Sequence, residues 1–209
     1  MVDAIGAAGR APLNHLPIMQ YYIFRQKTLR VKGGAAAVDS VPDNIDCLEW
    51  IDGNNMPLAI EKAPLLLDLS LESGSFRGAI IDGLVTLYHR VVLEAILDFG
   101  VDNIQYFPVT LRDQKSGKLE ENQYLLVNII GLLDCVDMER SKVSWWKTGR
   151  GFDFESMVLD EGRTQGLPIF RLKDDPTKVI ITQGLKNHLE SKKLMIGVNV
   201  IRTEDYSDW

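Results

Sequence analysis

NIQYFPVTLRDQKSGKLEENQYLLVNIIGLLDCVDMERS (Asn103–Ser141) contains two apolar runs separated by a polar stretch. Ile104–Leu111 carries Tyr106, Phe107 and Val109, side chains that suit a pleated surface and predict a strand. Arg112–Gln123, with Lys115-Ser116-Gly117-Lys118 inside it, reads as the hairpin loop. Tyr124–Leu133 (YLLVNIIGLL) is then apolar almost without alternation. A strand with one wet face alternates, so this run predicts a central strand covered on both faces. Asn128 lies inside it; a buried amide must be hydrogen-bonded, which favours a structural network over an active-site role.

Outward from this stretch the chain shows an internal repeat. Leu84–His89 (LVTLYH) matches Thr177–Thr182 (TKVIIT), and each precedes a helix-like segment and another strand. In the first copy Val92, Ala95, Ile96 and Phe99 recur at the spacing of one apolar helix face, and Gly100 is placed to end that helix. The second copy has Leu185, His188, Leu189 and Lys192 at those positions, which predicts a more peripheral helix. Thr182 is a good N-cap and His89 a poor one. Strands follow at Ile104–Leu111 and Val198–Arg202. Gln20–Gln26 reads as a further strand, Gly33–Ala37 as a flexible connector, and 39–83 as loops and short strands. Phe152–Leu159 alternates, with Phe152, Phe154, Ser156 and Val158 on one side and Asp153, Glu155, Met157 and Leu159 on the other, before Asp160-Glu161-Gly162 turns the chain. The expected fold is α+β, a mainly antiparallel sheet with two strand–helix–strand units related by internal duplication. The expected organisation is an N-terminal extension (1–19) and a single domain (20–209), with pseudo-symmetric halves 20–111 and 112–209.

Three local patterns carry a family resemblance. They are Tyr106-Phe107-Pro108-Val109, then Leu126-Val127-Asn128, then Asp134, Asp137, Glu139 and Ser141 in an Asp-x-x-Asp-x-Glu-x-Ser run. In this order they resemble the bacterial polymorphic-toxin immunity proteins, immunity family eleven. Phe154–Asp160, Leu167–Leu172 and residues 177–202 continue the likeness, which extends from about Gln20 to Thr203 and is thinnest over 33–83. The resemblance implies a neutralising protein whose partner is a cognate toxin, and no catalysis.

Composition agrees with such a protein. Apolar content of 45% and charged content of 25% are ordinary for a globular chain, and 209 residues suffice for a sizeable core. No segment reaches the ~20 apolar residues of a membrane helix, and MVDAIGAAGRAPLNHLPIM lacks the basic start and apolar run of a secretory signal. The expected localisation is therefore cytoplasmic, with a toxin that attacks a cytoplasmic target. Residues 1–33 carry a net +4 against a total of −6, which leaves −10 for residues 34–209. That acidic body repels a phosphate backbone, which argues against nucleic acid as partner, and attracts a cationic protein; plain solubility explains the same charge. A homo-oligomer stays open.

Catalytic and cofactor signals are sparse. The three histidines, His15, His89 and His188, show no metal-ligand spacing. Asp134, Asp137 and Glu139 lack the Gly and further carboxylates of a cation loop, and a solvated strand exit explains them as well. Cys47 and Cys135 form no disulfide framework or metal motif; buried free thiols are expected. No phosphate-binding loop or nucleophile elbow is present, so no catalytic residue, metal or cofactor is assigned.

What is left is surface. Ser144–Gly151 places Trp145, Trp146, Lys147 and Arg150 in one loop, and Trp and Arg are frequent interface anchors. Neighbouring side chains on a strand point opposite ways, so one Trp is expected to enter the core while the other is exposed; alternatively both cap the sheet. Asp153 and Glu155 follow on one strand face and suit a basic toxin. The partner-binding residues expected are Trp145, Trp146, Arg150, Asp153 and Glu155. A regulatory or scaffold module using the same surface is the alternative, and a small hydrolase assembled from His89, Asp134 and Asp137 a weaker one.

Overall fold

The computed structural model describes residues 19–27, 34–41, 50–56 and 64–208. Its elements in chain order are β1 (Tyr21–Gln26), β2 (Val38–Ser40), β3 (Leu65–Leu69), β4 (Ile80–Ile81), β5 (Leu87–His89), α1 (Arg90–Asp98), β6 (Ile104–Asp113), β7 (Leu119–Ile129) and β8 (Leu132–Leu133). β9 (Lys142–Trp145), β10 (Phe152–Ser156), β11 (Ile169–Leu172), β12 (Val179–Thr182), α2 (Gln183–Ser191) and β13 (Val198–Arg202) complete the set. The fold is α+β. A six-stranded sheet has the order β2-β3-β6-β7-β5-β4, a five-stranded sheet the order β13-β1-β12-β11-β8, and β9–β10 form a separate hairpin. Pairing is mainly antiparallel, but β3–β6 and β8–β11 are parallel, so both sheets are mixed.

β7 is the central strand that its unbroken apolar run predicts. Leu125, Val127 and Ile129 enter one core, Tyr124 and Leu126 another on the opposite face. The run predicted as a single strand to Leu133 is cut at Gly131, however. Gly131 adopts φ +95°, a left-handed conformation that side chains with a Cβ resist. The chain bends there, and Leu132 and Leu133 pair with Arg171 and Leu172 of the other sheet. Asn103 ties the bend down, donating from Nδ2 to Ile130 O (3.1 Å) and Ile169 O (3.0 Å). At the other end the hairpin loop is tighter than expected: β6 and β7 extend through the polar residues, and the turn is held by Asp113 Oδ1, which accepts from Lys115 N and Ser116 N.

Both strand–helix–strand units are present. β5-α1-β6 is split by β7, and β12-α2-β13 is split by β1, each intervening strand antiparallel to its two neighbours. The units share this layout, and duplication is a proposal that rests on it. The two sheets do not coincide with residues 20–111 and 112–209, because β1 joins the second unit and β7 the first. The helices pack between the sheets, α1 through Val92, Leu93, Ala95 and Ile96, α2 through Leu185 and Leu189 only. Phe99 stays at the surface beyond the end of α1, where Gly100 takes φ +96° as expected. Thr182 caps α2 by accepting from Leu185 N at 3.4 Å, whereas His89 makes no such bond.

Two outer layers close the structure. Trp50 covers the far face of the six-stranded sheet, donating from Nε1 to Val127 O (2.8 Å) and meeting Phe107 edge-on at 5.6 Å. Asn128 is fully buried and donates to Asn54 O (2.8 Å) and Gln105 Oε1 (3.3 Å), the expected structural network. Residues 34–37 do not form a loose connector: Ala36 N donates to Phe76 O (2.8 Å), and Ala37 O accepts from Ser70 N (2.8 Å). The second outer layer, on the five-stranded sheet, is the β9–β10 hairpin with Leu133, Val136, Met157 and Tyr206. The expected extension 1–19 lies, Met19 apart, outside the described residues, as do His15 and Cys47.

Phe107, buried between Trp50 and β7, tests the outer layer. Phe107→Ala should lower the unfolding free energy in a denaturant titration by about 3–5 kcal/mol. A loss below about 1 kcal/mol would mean that this face is not sealed as described.

Candidate partner-binding surface

The β9–β10 hairpin pairs Trp145 with Phe152, Ser144 with Asp153 and Val143 with Phe154. Its turn is closed by Trp146 N donating to Gly151 O (2.9 Å) and Gly149 N donating to Trp146 O (2.8 Å). One face is anchored: Phe154 is buried, and Phe152 and Val143 pack beside it. The strict alternation expected along Phe152–Leu159 fails, because a bulge between Phe154 and Ser156 shifts the register and Met157 turns inward to full burial.

Neither tryptophan enters the core. Trp145 is 63% exposed and rests edge-on against Phe152 at 5.1 Å; Trp146 is 51% exposed. The alternation argument fails because Trp146 lies in the turn and not on the strand. Its indole folds back over Gly151, where an added Cβ would come within 2.6 Å of the ring. Its Nε1 donates to Asp153 Oδ2 at 2.8 Å, so Asp153 orients the indole as well as contributing charge. Arg150 and Glu155 are exposed, and their side chains have no partner among the described residues.

Beside the hairpin runs a groove of about 440 Å³, lined by Trp146, Arg150 and Asp153 together with Asp174, Asp175, Lys178 and Asp208. The sequence reading missed the last four. The doublet Asp174-Asp175 before Pro176 was a visible sign of an acidic turn, but nothing local joins it or Asp208 to the tryptophans. Lys178 bridges Asp175 (2.8 Å) and Asp208 (2.9 Å), and its ammonium sits 5.3 Å above the Tyr206 ring. Burial alone would lower the Lys178 pKa, but the two carboxylates push it above the ordinary range. Burial opposes ionisation of Asp208 too, yet bonds from the Tyr206 hydroxyl, Lys178 and the Phe154 amide hold its carboxyl below its usual value. Asp174 is the opposite case: although the residue is exposed overall, partial desolvation of its carboxyl and the nearby Asp134 charge raise its pKa. The groove thus has four carboxylates against two cations, with Lys178 already engaged.

The Asp134–Ser141 run has a structural explanation. Asp137 Oδ1 accepts from Glu139 N and Arg140 N, both at 3.1 Å, while Ser141 Oγ accepts from Val158 N at 2.9 Å. These bonds fasten the approach to β9 against the segment after β10. Asp134 meets Lys173 (3.3 Å) and Arg163 (3.6 Å), whereas His89 packs against Tyr124 in the other sheet. No group of three metal-ligating side chains occurs among the described residues. Cys135 is buried and free, its thiol pushed up to about 11 by desolvation. Among the described residues no helix is long and apolar enough to cross a membrane.

The raised carboxyl of Asp174 gives a signed prediction. Its proton is held more tightly in the folded chain, so its charge opposes folding once pH rises above the ordinary value of 3.8. Asp174→Asn should melt at the same temperature as the native chain or higher at pH 7, and the difference should vanish below that value. A lower melting point at pH 7 would instead reveal a structural contact.

Comparison with curated proteins found no match. Comparison with protein-family models matched residues 90–202 to the Immunity protein family (Imm11), a span that starts later than the likeness read from Gln20 but contains α1, the central strand, the Asp134–Ser141 run and the whole exposed hairpin. With more than half of its length inside that match, the chain belongs to the Imm11 family of immunity proteins.

Proposed function

We propose that the chain neutralises a cognate antibacterial toxin by forming a stoichiometric complex with it in the cytoplasm. Membership of the Imm11 family is the observation that carries this reading. The toxin docks on the β9–β10 hairpin, with Trp145 and Trp146 as apolar anchors and Asp153, Glu155 and the adjoining carboxylates facing its basic residues. Exposed tryptophans on a braced turn suit this role, since little side-chain freedom is left to lose on binding. The acidic groove and the net charge of the body favour a cationic partner, as expected of a toxin that must hold nucleic acid. The chain acts by occupying the toxin's working surface and makes or breaks no bond itself.

Co-expression with the product of the adjacent toxin gene tests this directly. The toxin should kill the host alone and not in the presence of this chain; absence of both protection and a purified complex would refute the reading. Within the complex, Trp146→Ala or Asp153→Lys should raise Kd by about tenfold or more while moving the melting temperature little. Equal losses of binding and stability would assign both residues to structure. Raising salt should slow association, because the complementary charges are exposed at the rim.

A further inference from the structure

β9 belongs to a two-stranded sheet, so one of its edges faces no strand among the described residues. The bonds around the hairpin fix which backbone groups lie on that edge. Trp146 N donates to Gly151 O across the turn. Phe154 turns both of its backbone groups away from β9, its N–H to Asp208 Oδ2 (2.8 Å) and its carbonyl to Asp208 N (2.9 Å). Facing pairs in an antiparallel ladder alternate between those that exchange hydrogen bonds and those that do not. Trp146 with Gly151 is a bonded pair and Val143 with Phe154 is not, so Ser144 with Asp153 is bonded and Trp145 with Phe152 is not. Val143 and Trp145 therefore aim their N–H and C=O groups away from β10, and none of these groups has a hydrogen-bond partner among the described residues.

Sheets usually blunt such an edge with a proline, a bulge or a charge. From Val143 to Trp145 the strand carries neither proline nor charge, and the bulge of this hairpin lies on β10. The outer edge of β10, by contrast, is closed by Asp208 at Phe154. The open edge also runs directly into the exposed indole of Trp145.

We infer that the toxin presents an extended segment that adds to β9 as a third strand, exchanging backbone hydrogen bonds with Val143 and Trp145. This rests on the proposed docking of the toxin at the hairpin and gives the manner of that docking. Side chains of the added strand alternate between two faces. On one they meet the Trp145 indole. On the other, Ser144 is short, and strands lie about 4.8 Å apart, so a Lys or Arg of the toxin reaches across it to the Asp153 carboxylate.

Amide-resolved hydrogen exchange of the full chain, free and bound to the purified product of the adjacent toxin gene, tests the inference. The Val143 and Trp145 amides should exchange rapidly in the free chain and about tenfold or more slower in the complex, with the already bonded Ser144 amide as internal reference. Trp145→Pro, which removes the N–H as well as the indole, should raise Kd about fivefold or more beyond Trp145→Ala. Should Trp145→Pro fail to fold, the exchange measurement decides alone. A complex in which both amides exchange as fast as in the free chain overturns strand addition and leaves the proposed function standing, whereas no complex at all refutes both. Protection already present in the free chain and lost on dilution would assign the edge to a second copy of this chain, which also overturns the inference.

Discussion

Ile129, Ile130 and Gly131 carry the chain out of the six-stranded sheet and into the five-stranded one, and the rest of the molecule is arranged around that passage. Before it, β7 is apolar on both faces and must be covered twice: by the helices on one side and by Trp50 and its neighbours on the other. After it, Leu132 and Leu133 lie parallel to β11 and begin the third core, on which the hairpin is built. Asn103 donates to carbonyls of both sheets at this point, so the bend is fixed by hydrogen bonds as well as by the backbone freedom of Gly131.

The hairpin divides its work between two faces. Phe154 is buried, and the Phe154 amide is held by Asp208, which is itself held by Lys178 and Tyr206. With that side secured, the other face presents two tryptophans to solvent without loosening the strand pair. More than half of each tryptophan is left to solvent, which the proposed docking of a toxin would account for. The acidic groove beside it comes from three chain segments, the hairpin, the β11–β12 turn and the C-terminal residues.

Polar groups between the sheets follow a different logic. Asp82 and Gln26 pair side chain to backbone in both directions, which locks β1 to the neighbouring sheet where no ladder joins them. Arg171 lacks an equivalent partner. In the run Ile169-Phe170-Arg171-Leu172, all buried, it is the one charged member, and the cost of its burial is offset by its bond to Pro176 O and by the nearby Asp82 carboxylate.

Much of the fold was legible along the chain, because it depends on neighbours in sequence. The unbroken apolar run from Tyr124 marks a central strand, Gly100 marks a helix end, and Thr182 marks a cap; each needs only a few adjacent residues to act. The loop carrying the two tryptophans was visible for the same reason, but neither the strand pairing that makes it a hairpin nor the exposure of both rings was. The sequence did not reveal that β7–β8 serves two sheets, that Trp146 folds onto Gly151 instead of entering the core, or that Asp174 and Asp208 line one groove with Trp146. Those outcomes are set by contacts between residues far apart in the chain, such as Asp208 with Phe154 and Asn103 with Ile169, and by a one-residue bulge that reverses which side chain faces inward. Local pattern chooses the elements; only packing decides which of their faces are left for a partner.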